Sequence, residues 1–572
     1  MKDRGLKVNN SNEAAADLGF AAAAFPVFTF TLLVLLRRGA ELAGYAPNLG
    51  VLLVLSAAAV VVLMLSPADR AQRWAYAGIA LFFVGVATTA ALVFRKIPDN
   101  GFDAQAYHLP SVLRLLNGWR PMIEATDLTM SNHQPSGMWT ILAGSDSIFG
   151  FESGRAIGPI LMLAAGGAVW TVLRRIGMAA TPRAVVTVLL VANPVTISQI
   201  FTAFADGVLY ELTLILICSL LMMLEDRRLA TALLAGAAMI LVFNTKLAGF
   251  LFAPLAVATW GSLLLFRRGP AVALMRERRF QVAVLVMASV LALGFVGWRP
   301  YVVNVLENHR LVYPPPDELG FKPGTGNQLP ENLKTAGRVP KLAALFFART
   351  DMDGGSVKFK VPGTLTWHEL RMATATRKGG FGPFFGAAAL VALAALVWAP
   401  ARRTSSGTSN RNRIEVLLGL TAYGFATTIL FPEPWWARFV PLAWVIPIGA
   451  VCLADTLRPS LFVRSCAILC IALSTINAAI AGNSAVRDGV ANAADIKQKL
   501  ERMVHDQRPV YLSRGTIWNA SIGGQHAAEE VWRKRLWDQG KTAVVIVSRA
   551  DCQKLEFLSV DVERCAPPKS PP

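Results

Sequence analysis

The sequence predicts an all-α polytopic membrane protein with extracytoplasmic loops and a small C-terminal α/β domain. Three observations carry that prediction. Of the 572 residues, 54% are hydrophobic and 16% charged, and mean hydropathy is +0.45, which is more apolar surface than one soluble core can use. Apolar runs of membrane-crossing length recur about thirteen times, each close to the roughly 20 residues a helix needs to span the hydrocarbon layer. Lys and Arg then cluster in alternate connections between those runs.

The runs lie near 20–36, 50–66, 74–94, 156–173, 183–199, 207–224, 229–243, 247–266, 281–298, 381–399, 414–431, 440–456 and 463–481. A net charge of +19 reads here as orientation rather than nucleic-acid binding, because Lys and Arg accumulate in loops that stay in the cytoplasm. Arg70 and Arg73, Arg174 and Arg175 with Arg183, Arg227 and Arg228, Arg267 to Arg279, Arg402 to Arg413, and Arg458 with Arg464 mark the inner side. Arg37 and Arg38 are the exception. On this reading the amino terminus is cytoplasmic, and its basic start followed by a long apolar run is a signal anchor rather than a cleaved peptide. The outer side then receives 95–155, 200–206, 244–246, 299–380, 432–439 and everything after 482.

Three regions follow: two N-terminal membrane helices in 1–73, a transmembrane catalytic domain in 74–481 with outer loops 95–155 and 299–380, and an extracytoplasmic α/β domain in 482–572. The loop 299–380 is rich in Pro and Gly, as in Tyr313-Pro314-Pro315-Pro316 and Pro323-Gly324-Thr325-Gly326, with a helical stretch at Val339 to Ala348. In the tail, Val510-Tyr511-Leu512 and Ala543 to Val547 read as strands, and Gln525 to Gln539, with Trp532 and Trp537, has helical periodicity. Cys218, Cys452, Cys466 and Cys470 fall in membrane runs as small apolar residues. Cys552 and Cys565 share the outer tail, and spacing alone leaves their pairing open. There is no Walker motif, dinucleotide fingerprint or fixed-period repeat.

The unusual chemistry collects on the outer side, where charge beside a bilayer is costly unless water, protein or a ligand solvates it. Each residue has a plain reading. Asp103, four before Tyr107, would be a helix cap leading into a helix near Ser111–Asn117, and Asp99 in Asp-Asn-Gly is turn chemistry. His133, before a short helix from Met138 to Phe149, would anchor at the surface. Asp206 would cap a span, Lys246 would snorkel to headgroups, and Arg299 and Arg438, beside Trp298, Trp435 and Trp436, would belong to aromatic belts. Taken jointly, carboxylates and cations at the outer ends of at least four spans exceed what capping requires.

The order Asp103-x-x-x-Tyr107-His108-x-Pro110, His133-Gln134-Pro135, Ala205-Asp206, Thr245-Lys246-x-x-Gly249, Arg299-Pro300-Tyr301-x-x-Asn304 with Tyr313-Pro314, Gly379-Gly380-Phe381-Gly382-Pro383 and Arg438-Phe439-x-Pro441 resembles the GT-C superfamily of integral membrane glycosyltransferases. It is similar to the bacterial branch near the protein mannosyltransferases and aminoarabinose transferases, over residues 74 to 456. The resemblance implies sugar transfer from a polyprenyl-phosphate-linked donor to an acceptor hydroxyl of a glycan, lipid or protein, with inversion, at the outer face of the bacterial cytoplasmic (inner) membrane. It implies Asp103 as catalytic base, and Tyr107, His108, His133, Asp206, Lys246, Arg299, Tyr313 and Arg438 as substrate-binding residues. Relatives often carry two adjacent acidic residues where this chain has Asp103-Ala104, so the resemblance assigns no metal ligand and leaves a divalent metal open. The alternatives are a transporter or flippase of lipid-linked glycans, and a surface polysaccharide polymerase or ligase.

Overall fold

In the computed structural model of the chain the described residues are 10–66, 69–268, 278–313, 329–350, 355–399, 408–514, 517–519, 524–525, 527–559 and 562–567. The Pro314–Pro316 run and the Pro323 to Gly326 segment lie outside them. Eight described helices are long and apolar enough to cross a membrane: Leu18–Leu42, Arg70–Phe94, Ser153–Arg175, Ala205–Met222, Gly249–Arg267, Arg279–Val296, Asn410–Leu430 and Leu461–His505. Five shorter apolar helices join them: Leu49–Leu65, Ala180–Val191, Leu229–Thr245, Phe385–Trp398 and Pro441–Leu457. Together these account for every apolar run read from the sequence, and the chain is a polytopic membrane protein.

Local chemistry sets the helix starts. Asn48 accepts from the Val51 amide, Asp69 and Gln72 form a capping box, and Ser460 accepts from Val463, each satisfying donors that a helix start leaves open. The run predicted at 183–199 breaks because Asn193 takes its side chain out of the helix. It accepts from the Val195 amide at 2.8 Å and donates to the Pro441 carbonyl at 2.8 Å, while Pro194 starts a new turn. Large apolar side chains such as Leu63, Leu81, Val397 and Ile468 remain exposed, as lipid-facing sides must. By contrast every residue of Ala205–Met222 is buried, making it the axis of the bundle.

The arginine pair that broke the charge pattern is internal. Arg37 and Arg38 both pair with Glu41, at 2.6 and 2.5 Å, and Arg37 donates to Thr140 and to the Trp119 carbonyl. Arg38 donates to the Val296 carbonyl and to Ser136. Buried and saturated, these cations report packing between the first helix and the 119–140 segment, not membrane orientation.

Of the extramembrane pieces, the predicted helical stretch in the 299–380 loop is the helix Arg338–Phe347. The tail has strands β1 (Val510–Ser513), β2 (Ile517–Asn519), β3 (Gly524–Gln525), β4 (Val544–Val547), β5 (Lys554–Ser559) and β6 (Val562–Cys565). The main sheet has the order β4-β1-β6-β5. Strands β1 and β4 are parallel, with Val510 opposite Val544, and the helix Ala528–Asp538 lies between them in sequence; a parallel pair needs such a crossover. Leu512, Trp532, Leu536, Leu558 and Val562 form its core with Ile496, Leu500 and Met503. Those last three belong to the 45-residue helix Leu461–His505, which runs without interruption through position 482. Cys552 and Cys565 are disulfide-bonded, with Cα atoms 5.1 Å apart, and the other four cysteines are free.

Candidate functional site

At the N-terminal end of the axial helix, segments from five parts of the chain meet. Asp103 precedes a π-helical stretch, Ala104–His108, and makes no side-chain capping bond. Its carboxylate instead accepts from Arg438 Nη2 at 2.5 Å. Asp206, in the first turn of Ala205–Met222, likewise does not cap its helix, where Gln199 Oε1 accepts from the Gly207 amide at 3.0 Å: it pairs with Arg438 Nε at 2.9 Å and with Lys246 Nζ, and accepts from Gln199 Nε2 at 3.2 Å. The capping, snorkelling and belt readings of Asp103, Asp206, Lys246 and Arg438 are thus replaced by one ion network of two carboxylates and two cations.

The backbone explains how these side chains arrive. Leu229–Thr245 ends at Lys246, whose φ of −157° and ψ of 150° are extended, and the chain re-enters a helix at Gly249. A Cβ on Gly249 would lie 2.1 Å from the Val242 carbonyl oxygen, so only glycine permits this tight return. Arg438 sits in a 3₁₀ turn, Ala437–Phe439, with its guanidinium 5.0 Å from the Phe204 ring centre, 5.4 Å from Trp436 and 5.5 Å from Phe439. The Lys246 ammonium lies 5.0 Å from the Phe439 ring. Trp435 and Trp436 are buried; Trp436 is a wall of the site and Trp435 packs behind it with Leu333, Ala344 and Val357.

Electrostatics follow from these neighbours. Burial alone would raise the Asp103 pKa, but Arg438, through charge and hydrogen bond, with the Lys246 ammonium, outweighs it and holds the carboxyl below its ordinary value. Burial lowers that of Lys246, against the pull of Asp206; that of Arg438 is raised, Asp206 and Asp103 overcoming burial. Burial drives His108 down to about 3. The ring is therefore neutral, and its Nδ1 accepts from Trp139 Nε1 at 2.7 Å, which leaves the proton on Nε2. Tyr107, its ring centre 4.2 Å from that of His108, is pushed well above the phenolic range by burial and Asp103.

The remaining site candidates form a second cluster. His133 Nδ1 is 2.6 Å from Asn304 Oδ1, and its ring packs edge-on at 4.7 Å against Tyr313. Arg299 donates to the Pro121 carbonyl at 3.1 Å and exerts its field on His133. The short helix bearing His133, Thr129–His133, packs against Ala104–His108, so the two clusters are neighbours.

Three features escaped the sequence reading. Arg377 stacks 5.3 Å from Trp436 and feels both Arg438 and Asp103. It is carried there by the Gly379-Gly380 bend: Gly379 has φ +56°, and a Cβ on Gly380 would lie 2.8 Å from that of Ala437. The motif was visible, its cation was not. Asp99 does close a turn, accepting from the Gly101 amide at 2.7 Å, but its other oxygen accepts from Ala203 at 2.6 Å, joining two distant loops. Glu152 and Arg155 complete that joint: Glu152 accepts from the Asp99 amide at 2.6 Å, and Arg155 donates to the carbonyls of Phe94, Ile97 and Phe201.

The donor set does not fit a divalent metal. Asp103 and Asp206 are occupied by cations, and among the described residues no three His, Cys, Asp or Glu side chains converge.

No protein-family model and no curated protein matches the chain. Solved structures similar to it include crystal structures of ArnT from Cupriavidus metallidurans, bound to undecaprenyl phosphate and in the apo state. Each is 16% identical over 82% of this chain and 90% of that chain, with TM-scores of 0.37 and 0.36.

Proposed function

We propose that the chain is a GT-C-type membrane glycosyltransferase that moves a sugar from a polyprenyl-phosphate donor to an acceptor hydroxyl, with inversion, at the outer face of the cytoplasmic membrane. The observation that carries this reading is the Asp103–Arg438–Asp206–Lys246 network at the end of the bundle axis. It holds a base and phosphate-binding cations within one site, in the residues on which the family resemblance rests.

The chemistry follows from that geometry. The donor phosphate competes with Asp103 for Arg438, and Lys246 and Arg377 flank it; desolvated cations stabilise the charge that grows on the leaving oxygen. Once Arg438 turns to the phosphate, Asp103 loses the partner that lowers its basicity and can take a proton. The acceptor oxygen attacks the anomeric carbon as the bond from that carbon to the phosphate oxygen breaks. The electron pair leaves with the polyprenyl phosphate, and the acceptor proton goes to Asp103. Tyr107 and neutral His108 line the sugar pocket, and His133, Arg299 and Tyr313 hold the acceptor side.

A transporter would set its ionisable groups near the midplane. Here they gather at a helix end, and Glu211 is the only carboxylate deeper in the axial helix. The test is transfer from a polyprenyl-phosphate sugar in proteoliposomes by Asp103→Asn, which should lose about 10²–10⁴-fold while inserting and folding normally. Transfer at the parent rate would remove Asp103 as base.

A further inference from the structure

The Asp103 segment is held from two sides, and the second side is the tail. Asp103 faces Arg438 in the bundle, whereas the residues around it bond the C-terminal domain. Arg535, in the helix Ala528–Asp538, donates to the Asp99 carbonyl at 2.7 Å and to Glu152 Oε1 at 2.6 Å. Glu152 Oε2 in turn accepts from the Asp99 amide, so the peptide groups on both sides of Asp99 are fixed by one ion pair. Gln105, fully buried, donates to the same Asp99 carbonyl at 2.7 Å and accepts from Ser559 Oγ at 2.5 Å. Ser559 is itself oriented by Trp532 Nε1 at 2.6 Å. The Ala527 amide donates to the Ala106 carbonyl at 3.3 Å, and Glu530 pairs with Arg114 at 2.6 Å.

We propose that the C-terminal domain is a positioning clamp for the base: Arg535 and Ser559 fix residues 99–106 so that Asp103 stands at the acceptor oxygen. This rests on the reading of Asp103 as base. Neither residue touches substrate; each acts through the backbone that carries Asp103. The physical ground is that a reacting group displaced by 1 Å loses on the order of 100-fold in rate, and a clamp with buried, mutually bonded partners leaves no slack.

The test uses the full chain in proteoliposomes with Arg535→Ala and the milder Ser559→Ala. Both should lower kcat, by about 100-fold for Arg535→Ala, while the donor KM stays within about twofold, because the phosphate cations are untouched. Amide hydrogen exchange at residues 100–108 should rise by about tenfold or more in both variants, and the Arg535→Lys variant should recover part of each effect. Unchanged exchange in Ser559→Ala and Arg535→Ala overturns the clamp whatever the activity. Raised exchange with the parent kcat overturns its catalytic purpose. Asp103→Asn separates the two readings: it should lower transfer by about 10²–10⁴-fold with exchange at 100–108 as in the parent, and full transfer in that variant would sink the base while leaving the exchange result to judge the clamp.

Discussion

Two buried ion networks lie side by side in this protein, with the same charge balance and opposite characters. The Asp99–Glu152–Arg155–Arg535 network has no side chain more than 5% exposed. Its arginines bond the backbone carbonyls of Phe94, Ile97, Phe201 and Asp99, leaving buried Arg535 Nη1 as the one guanidinium nitrogen of the pair without a partner among the described residues. The Asp103–Arg438–Asp206–Lys246 network has Asp103 and Lys246 side chains each 20% exposed, and its cations find carboxylates and aromatic faces but no carbonyls. The first is closed to solvent and spends nearly all its donors on backbone carbonyls. The second is partly open, and on the function proposed above Arg438 would exchange Asp103 for a phosphate and so free Asp103 as a base, which would separate a site from a staple when both are charged and buried.

Mutations should separate the two networks. Glu152→Ala strands Arg155 and Arg535 in the interior and should cost about 3–5 kcal/mol of stability, read as a large fall in the unfolding midpoint in detergent. A small fall would put this network with the site instead. Lys246→Met should do the reverse. Transfer should fall about 10²–10³-fold with the midpoint nearly unmoved, since Asp206 keeps Arg438 and Gln199. A collapse of the fold would make Lys246 a staple.

The smallest effect distinguishes them by pH. His108 is depressed to about 3 from 6.5, so the unfolded chain takes up a proton that the folded chain refuses. Its stabilisation is complete above pH 6.5 and is lost as pH falls from there toward 3. Asp99 is raised to about 6 from 3.8, burial outweighing Arg155 and the amide donors, so its contribution declines as pH rises from 3.8 to 6. His108→Asn should therefore flatten the acid limb of a midpoint-against-pH curve, and Asp99→Asn should lift the neutral limb. Identical curves for both variants would contradict the contrast.

The membrane helices were legible because about 20 consecutive apolar residues have few other physical uses, and in the tail the helix and strands β1 and β4 were legible from periodicity and apolar runs, whereas β2, β3, β5 and β6 were not read. The four-residue ion network was legible only as scattered charges at span ends, joined by motif order. What could not be read was pairing across long separations. Asp99 reads as a turn until Ala203, 104 positions away, is brought to it. Arg37 and Arg38 read as an exception to the orientation signal for a different reason: Glu41 is only one helical turn on, but it absorbs both charges only because all three are buried, which is a property of the fold. Arg377 is one arginine among many until a glycine bend lays it on Trp436. That His133, Arg299 and Tyr313 form their own cluster is likewise a property of the fold, with Asn304 as the hinge of that group.

The 45-residue helix Leu461–His505 has a mechanical consequence. At 1.5 Å per residue it is roughly 68 Å long, about twice the ~30 Å of hydrocarbon it can occupy. Its first half packs in the bundle with Phe385–Trp398 and Val445–Leu457, and its second half supplies Ile496, Leu500 and Met503 to the core of the tail. One rigid rod therefore has one end in lipid and the other in the domain that grips the Asp103 segment. A change in the tilt of this helix would therefore be felt directly in the core of the tail, because no linker separates the two.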